Sequence, residues 1–274
     1  LLPITGLVNN EVELSLEDFT GDRFTQVDRF VTMSCISNRL GGDLISTTRW
    51  TGVPMREIID LVQPSEDAKA ILITSADGFD EYLHLDMIDQ DERIMLAHAW
   101  DGQPLREKHG FPLRIHIPDR FGMKQPKWIT AMEFVDEEGE GYWVRRGWDA
   151  VAKTVATSVI DTVAIDSIES RDGQYYVPIG GMAWSGARGV SRVEVRVDEG
   201  EWVEADLRAP ISDTTWTIWR YDWPFEEGTY NFEVRMFEGD ETPQIETERG
   251  TRPSGATGIH SDRERMPDRD EIEA

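Results

Sequence analysis

The apolar positions change period along the chain. Leu1–Val8 is apolar, Asn9-Asn10 marks a turn, and Glu11–Leu16 alternates, which predicts a strand pair. Ser15 with Asp18 three residues on forms a capping-box pattern and opens a short helix. Val27–Cys35 reads as a strand with Val27, Val31, Met33 and Cys35 on one face, so it delivers Cys35 to its end. Asn38–Gly42 is a loop closed by two glycines. Met55, Ile58, Ile59 and Val62 recur at helical spacing across Pro54–Val62. Strands follow at Ala70–Thr74, Ile94–Ala99, Pro112–Ile117 and Trp128–Phe134, with turns at Asp77-Gly78 and Asp101-Gly102.

Near residue 155 the pattern becomes purely alternating. Val193, Val195 and Val197 form one strand face, and Tyr230, Phe232, Val234 and Met236 another. Turn residues recur between them, as at Asp172-Gly173, Glu199-Gly200 and Glu227-Gly228. Short strands at this spacing predict a β-sandwich. Trp184, Trp202, Trp216, Trp219 and Trp223 fall within it and are expected in its core. The fold class is therefore α+β: a mixed domain over 1–155, a sandwich over 156–245, and a polar tail over 246–274, mobile at its end.

Composition narrows the function classes. The net charge is −25, from 28 basic and 53 acidic residues. Such a field disfavours nucleic acid and anionic lipid as partners. Five of the basic residues are lysines, leaving 23 arginines, a balance suited to high salt, where screening blunts self-repulsion. The chain has one cysteine, so neither an intrachain disulfide nor a cysteine-rich zinc site can form.

Two segments carry candidate chemistry. In the first, Cys35 is followed by Asn38, Arg39, Gly41 and Gly42. A nearby arginine favours the thiolate, which serves either as a nucleophile or as a ligand to a soft metal. The residues alone do not separate these roles, nor exclude a plain strand–loop corner. A cysteine hydrolase would need a histidine base beside Cys35. The second segment places Lys108, His109, Arg114, His116, Arg120, Lys124 and Lys127 in an otherwise acidic chain, with Gly110 and Gly122 allowing backbone approach to an anion. A phosphate site and a basic surface loop both fit that composition, and no P-loop pattern is present.

The ordered motifs are more specific. Cys35-Ile36-Ser37-Asn38-Arg39, Arg49-Trp50-Thr51-Gly52-Val53-Pro54, Asp101-Gly102-Gln103-Pro104-Leu105, His109-Gly110-Phe111-Pro112-Leu113-Arg114 and Gly122-Met123-Lys124 with Lys127-Trp128 together resemble the sulfite oxidase family of molybdopterin enzymes. Gly181-Met182-Ala183-Trp184-Ser185-Gly186, Trp216–Trp219 and Gly255–His260 are similar to that family's Ig-like dimerisation domain. Gly141-Tyr142-Trp143 and the Asn38–Gly42 loop look closest to prokaryotic members without a haem domain.

The resemblance implies a molybdenum–molybdopterin cofactor with Cys35 as the metal's thiolate ligand. Asn38, His109, Arg114, Gly122, Lys124 and Lys127 would bind the pterin and its phosphate, and Arg39 would face an anionic substrate. The implied reaction is oxygen-atom transfer on sulfite, another small oxyanion or an S-oxide, with electrons leaving to a separate acceptor, a cytochrome or membrane partner. A homodimer through the Ig-like domain is implied. So are an upstream segment with further contacts and an extracytoplasmic, membrane-associated location, with a cytoplasmic one as the alternative. The other reading is a non-catalytic or degenerate assembly module, against which the retained Cys35, Arg114, Lys124 and Lys127 count. Two departures weaken sulfite as the substrate. The tyrosine expected after the Asp-Gly turn is replaced by Phe79, with Tyr82 three residues later, and Thr217 stands where relatives place an arginine between two tryptophans.

Overall fold

The computed structural model describes residues 1–272. The chain divides into two units. The first comprises Leu1–Ile36, Ser46–Lys153 and Arg252–Ser254; the second comprises Ser37–Ile45, Thr154–Thr251 and the C-terminal residues from Gly255.

The first unit begins with β1 (Leu2–Gly6), β2 (Val12–Leu14) and helix α1 (Leu16–Thr20). Strand β2 stops because Ser15 caps the helix: its hydroxyl accepts from the Asp18 amide, and the Asp18 carboxylate accepts from the Ser15 amide at 2.7 Å. Next come β3 (Val27–Ser34), β4 (Ile45–Pro54) and α2 (Met55–Val62). Helix α2 buries Met55, Ile58 and Val62, the row its spacing predicts. Strands β5 (Ala70–Ser75) and β6 (Asp80–His84) lead to a short helix, α3 (Leu85–Gln90), for which the sequence shows too few turns to read a period. The unit ends with β7 (Met95–Trp100), β8 (Gln103–Pro104), β9 (Arg114–His116) and β10 (Ile129–Val135).

One sheet has the order β2-β1-β10-β5-β6, with β1 and β10 parallel. The other has the order β3-β4-β7-β8, with β9 also on β7. Apolar residues of both sheets and α2, including Ile4, Ile58, Ile71, Leu96, Ile115 and Phe134, form the main core. Register on β7 places Arg114 opposite Ala97 and His116 opposite Met95, so the cation-bearing strand is anchored to the middle of a sheet.

The second unit is a sandwich of two sheets. Strands β11 (Thr157–Val163), β12 (Glu169–Arg171), β13 (Gln174–Trp184), β16 (Asp206–Arg208) and β17 (Thr217–Pro224) form one. Strands β14 (Val190–Val197), β15 (Val203–Glu204), β18 (Thr229–Glu238) and β19 (His260–Arg265) form the other, in the order β15-β14-β18-β19. Val193, Val195, Phe232, Val234 and Met236 point inward and are buried, while the alternate residues carry ion pairs such as Arg235–Glu194 at 2.8 Å and Arg196–Glu233 at 2.6 Å.

Two expectations are corrected here. Residues beyond 245 are not a free tail. Strand β19 pairs with β18 over six residues, and Met266 is buried in the sandwich core. The strand escaped notice because His260–Arg265 is charged on both faces and is held by backbone pairing, not by an apolar row. Trp202 is not a core residue either; it is half-buried between the guanidiniums of Arg196 and Arg235, at 4.5 and 4.3 Å. Trp184, Trp219 and Trp223 are buried. No helix among the described residues is long and apolar enough to cross a membrane.

Candidate cofactor site

Strand β3 ends at Ser34 and leaves Cys35, the single cysteine, exposed one residue beyond. Val31 and Ser34 are buried, so the strand beneath the thiol is held firmly. The 3₁₀ turn Gly122–Lys124 lies over this end: a Cβ on Gly122 would meet the Ser34 carbonyl at 3.5 Å and Met33 Sδ at 3.8 Å.

Arg114 is the most unusual charge in the unit. Its side chain is buried, stacked 4.7 Å from the Trp50 ring centroid. It donates to the His109 carbonyl at 3.1 Å and towards Met33 Sδ at 3.2 Å, and its Nε has no partner. Among the described residues it has no carboxylate. Burial brings its pKa down to about 10, so the guanidinium stays charged at neutral pH. A buried cation without an acid is costly unless an anion completes it.

Other cations converge on it. Lys127 sits beside Arg114 in an isolated antiparallel bridge; its ammonium donates to the Lys108 carbonyl at 3.1 Å and lies 4.1 Å from the Trp128 ring. Burial and then Arg114 depress its pKa. His109 packs edge-on against Trp100 at 4.2 Å, and its pKa is lowered by burial, then by Lys108, Arg114 and Lys127. Gly110 lets them meet. It has φ +111°, and a Cβ there would stand 3.0 Å from Lys127 Cβ and 3.2 Å from Arg114 Cβ.

A cleft of about 340 Å³ opens beside this cluster, lined by Asp77, Phe79, Gly122, Lys127, Trp128 and Tyr142 among others. It offers flat aromatic faces, one carboxylate acceptor and one ammonium. A pterin is a flat heteroaromatic ring with an N–H edge and a phosphate arm. The donor set therefore fits it: Asp77 for the N–H edge, the Arg114–Lys127–His109 cluster for the phosphate, and the exposed Cys35 thiol for the metal. Asp77, Trp128 and Tyr142 were not among the candidates. Asp77 is masked by its turn role, accepting from the Phe79 amide at 3.1 Å, and Tyr142 carries a signal only through the Gly141-Tyr142-Trp143 motif.

Two expected roles change. Lys124 is buried, and its ammonium is committed to Glu81 at 2.6 Å, so it is not a free phosphate donor. Asn38 closes its own loop, accepting from the Leu44 amide at 3.0 Å and donating to the Gly42 carbonyl at 3.4 Å. Arg39 is exposed. Of the two aromatic alternatives, Phe79 lines the cleft, whereas Tyr82 lines a separate cleft with His84 and Arg120. Tyr142, whose ring lies 5.6 Å from that of Phe79, is the phenol in this cleft. Thr217 is buried at the start of β17.

One wall of the cleft contains Gln125, and buried His116 Nδ1 lies 3.0 Å from the Gln125 side-chain oxygen. Burial holds this imidazole neutral, with a pKa of about 4 against an ordinary 6.5. A depressed pKa favours folding above 6.5 and withdraws that support as pH falls through about 4. Chemical denaturation between pH 7 and 4 is expected to show a loss on the order of 3 kcal/mol from this group. His116→Phe should flatten that part of the profile, and an unchanged slope would remove His116 as its source.

A family model described as the oxidoreductase molybdopterin binding domain matches residues 1–143, more than half of the chain, and one described as the Mo-co oxidoreductase dimerisation domain matches residues 147–252. The chain belongs to this family of molybdopterin oxidoreductases. Human mitochondrial sulfite oxidase is 27% identical over 265 residues, covering 79% of this chain and 47% of its own length. The putative protein-methionine-sulfoxide reductase subunit YedZ1 of Azospira oryzae is 30% identical over 149 residues, covering 54% of this chain and 53% of its own. The chain thus spans about half the length of these relatives. The crystal structure of sulfane dehydrogenase SoxCD from Paracoccus pantotrophus superposes with a TM-score of 0.79 at 20% identity, covering 97% of this chain and 77% of that one, which shows a shared fold. The matched ranges make the first unit the molybdopterin-binding domain and the second the dimerisation-type sandwich.

Proposed function

We propose that the protein is a molybdenum-cofactor oxidoreductase that exchanges an oxygen atom between water and a small anionic or S-oxide substrate, passing two electrons to a separate acceptor when the substrate gains the oxygen and drawing them from a separate donor when it gives the oxygen up. The observation that carries this is Arg114, a buried guanidinium with no carboxylate partner, joined by Lys127 and His109 over Gly110. These side chains form a cradle suited to a multivalent anion, and the phosphate arm of the cofactor would supply one. The bound molybdenum centre supplies two-electron oxygen-atom chemistry.

The chain's own residues do the rest. Cys35, just beyond the end of β3, would hold the metal. Trp128 and Tyr142, which line the cleft, would pack against the ring, and Asp77 would accept from its N–H edge. Phe79 and Thr217, where related enzymes place a phenol and a guanidinium, favour an S-oxide or another oxyanion over sulfite. The sandwich unit would pair two copies, as the description of its family model suggests.

Metal analysis by mass spectrometry with pterin release is the test. Protein made in a cofactor-competent host is expected to carry molybdenum and pterin stoichiometric with the chain. It should also support dye-linked turnover of sulfite or an organic sulfoxide. Absence of both metal and pterin would reject the reading.

A further inference from the structure

We propose that the Glu81–Lys124 pair is a positioning strut that joins the walls of the cofactor cleft, and that Lys124 does not contact the cofactor. The proposal rests on the cofactor reading above.

Three chain segments meet at this pair. Lys124 ends the 3₁₀ turn whose Gly122 and Met123 line the cleft. Glu81 lies on β6, two residues after Phe79, which lines the same cleft. The third segment is Gly141–Trp143, whose two aromatic rings also line it. A Cβ on Gly141 would overlap both carboxylate oxygens of Glu81, so only glycine lets this segment close over the pair. The Tyr142 amide then donates to the Asp80 carbonyl at 2.9 Å, clamping that segment to β6.

The chemistry of the pair is structural. Glu81 is 1% exposed and Lys124 7%. The Glu81 Oε1 accepts from Lys124 at 2.6 Å and from the Tyr82 amide at 2.9 Å, while Oε2 has no partner. Burial pushes the Glu81 carboxyl upward, and the Lys124 charge pulls it back. An ammonium held this closely by a carboxylate has its charge largely balanced by that partner, so it attracts a phosphate less than the unpaired cations do. By contrast, Arg114 and Lys127 have no acid within pairing distance among the described residues.

The test is a double-mutant cycle on the protein as purified from a cofactor-competent host, read as molybdenum and pterin content, turnover and thermal midpoint. E81Q and K124M each strand one buried charge and are expected to lose most of the cofactor. The E81Q/K124M double variant strands none and should recover most of it. E81D keeps the charge but withdraws it by one methylene. Per bound molybdenum, it should lower kcat about tenfold with KM little changed, because a small misplacement of the cleft wall misorients the cofactor.

A double variant that folds but is as empty as K124M would overturn the proposal and make Lys124 a ligand. So would E81Q with wild-type cofactor content and kcat. If a single variant fails to fold, the double variant alone decides by the same readings. If wild type itself carries no cofactor, the functional reading fails. The strut then stands or falls on whether the E81Q and K124M losses in thermal midpoint are non-additive or additive.

Discussion

Cys35→Ser is expected to empty the metal while leaving the fold and most of the pterin in place. The thiol is exposed beyond the end of β3, and the apolar residues that fix this strand, such as Val31, lie behind it. Removing its sulfur creates no core cavity, so stability should change by no more than about 0.5 kcal/mol. The metal, in contrast, needs a soft, ionised ligand, and a serine hydroxyl ionises far above the working pH. In the proposed site, pterin retention would rest instead on the Arg114, Lys127 and His109 cluster, which the substitution does not touch. Mass-spectrometric molybdenum, pterin fluorescence and a thermal melt on one preparation separate these quantities. Full molybdenum with full turnover would show that Cys35 is not the ligand.

Arg114→Met should drive stability and cofactor content in opposite directions. Methionine keeps most of the side-chain volume against Trp50 and removes a buried charge that no carboxylate balances. In cofactor-free protein, stability is expected to rise by about 1–3 kcal/mol, after allowing for the lost cation–π contact and the bond to the His109 carbonyl. Cofactor content should fall at least about tenfold, because the guanidinium gives a planar, charged fork to phosphate that a thioether cannot replace. Denaturant midpoints of stripped protein and pterin content of the purified protein test the two halves. A destabilised, cofactor-replete variant would mean that Arg114 serves packing alone.

Much of this was legible along the chain because local physics dominates there. The row Met55, Ile58, Val62 specifies α2, the Ser15–Asp18 reciprocity specifies α1, and strict alternation specifies β14 and β18. The cation-rich stretch 108–127 gave away Arg114 and Lys127 as residues of unusual charge, and the end of a strand gave away Cys35. What stayed hidden depends on partners far apart in sequence. Glu81 and Lys124 are 43 residues apart, and nothing in either segment announces that one neutralises the other. Asp77 and Trp128 share a cleft only because β5 and β10 are neighbours in a sheet. Asn38 looked like a ligand because its bonds to Gly42 and Leu44 follow from loop geometry rather than from residue type.

The pairing of β19 with β18 sets where this chain can be cut. The dimerisation-domain model stops at residue 252, eight residues before β19 begins. A fragment ending there would leave Thr229–Val234 of β18 as an open edge, with its outward amides and carbonyls unpaired and the Phe232–Met236 face partly uncovered. Such an edge is a template for intermolecular strand addition, and it would present as aggregation rather than as a change in cofactor chemistry. Fragments meant to report on the sandwich by itself therefore have to retain His260–Arg265 and the buried Met266 that follows.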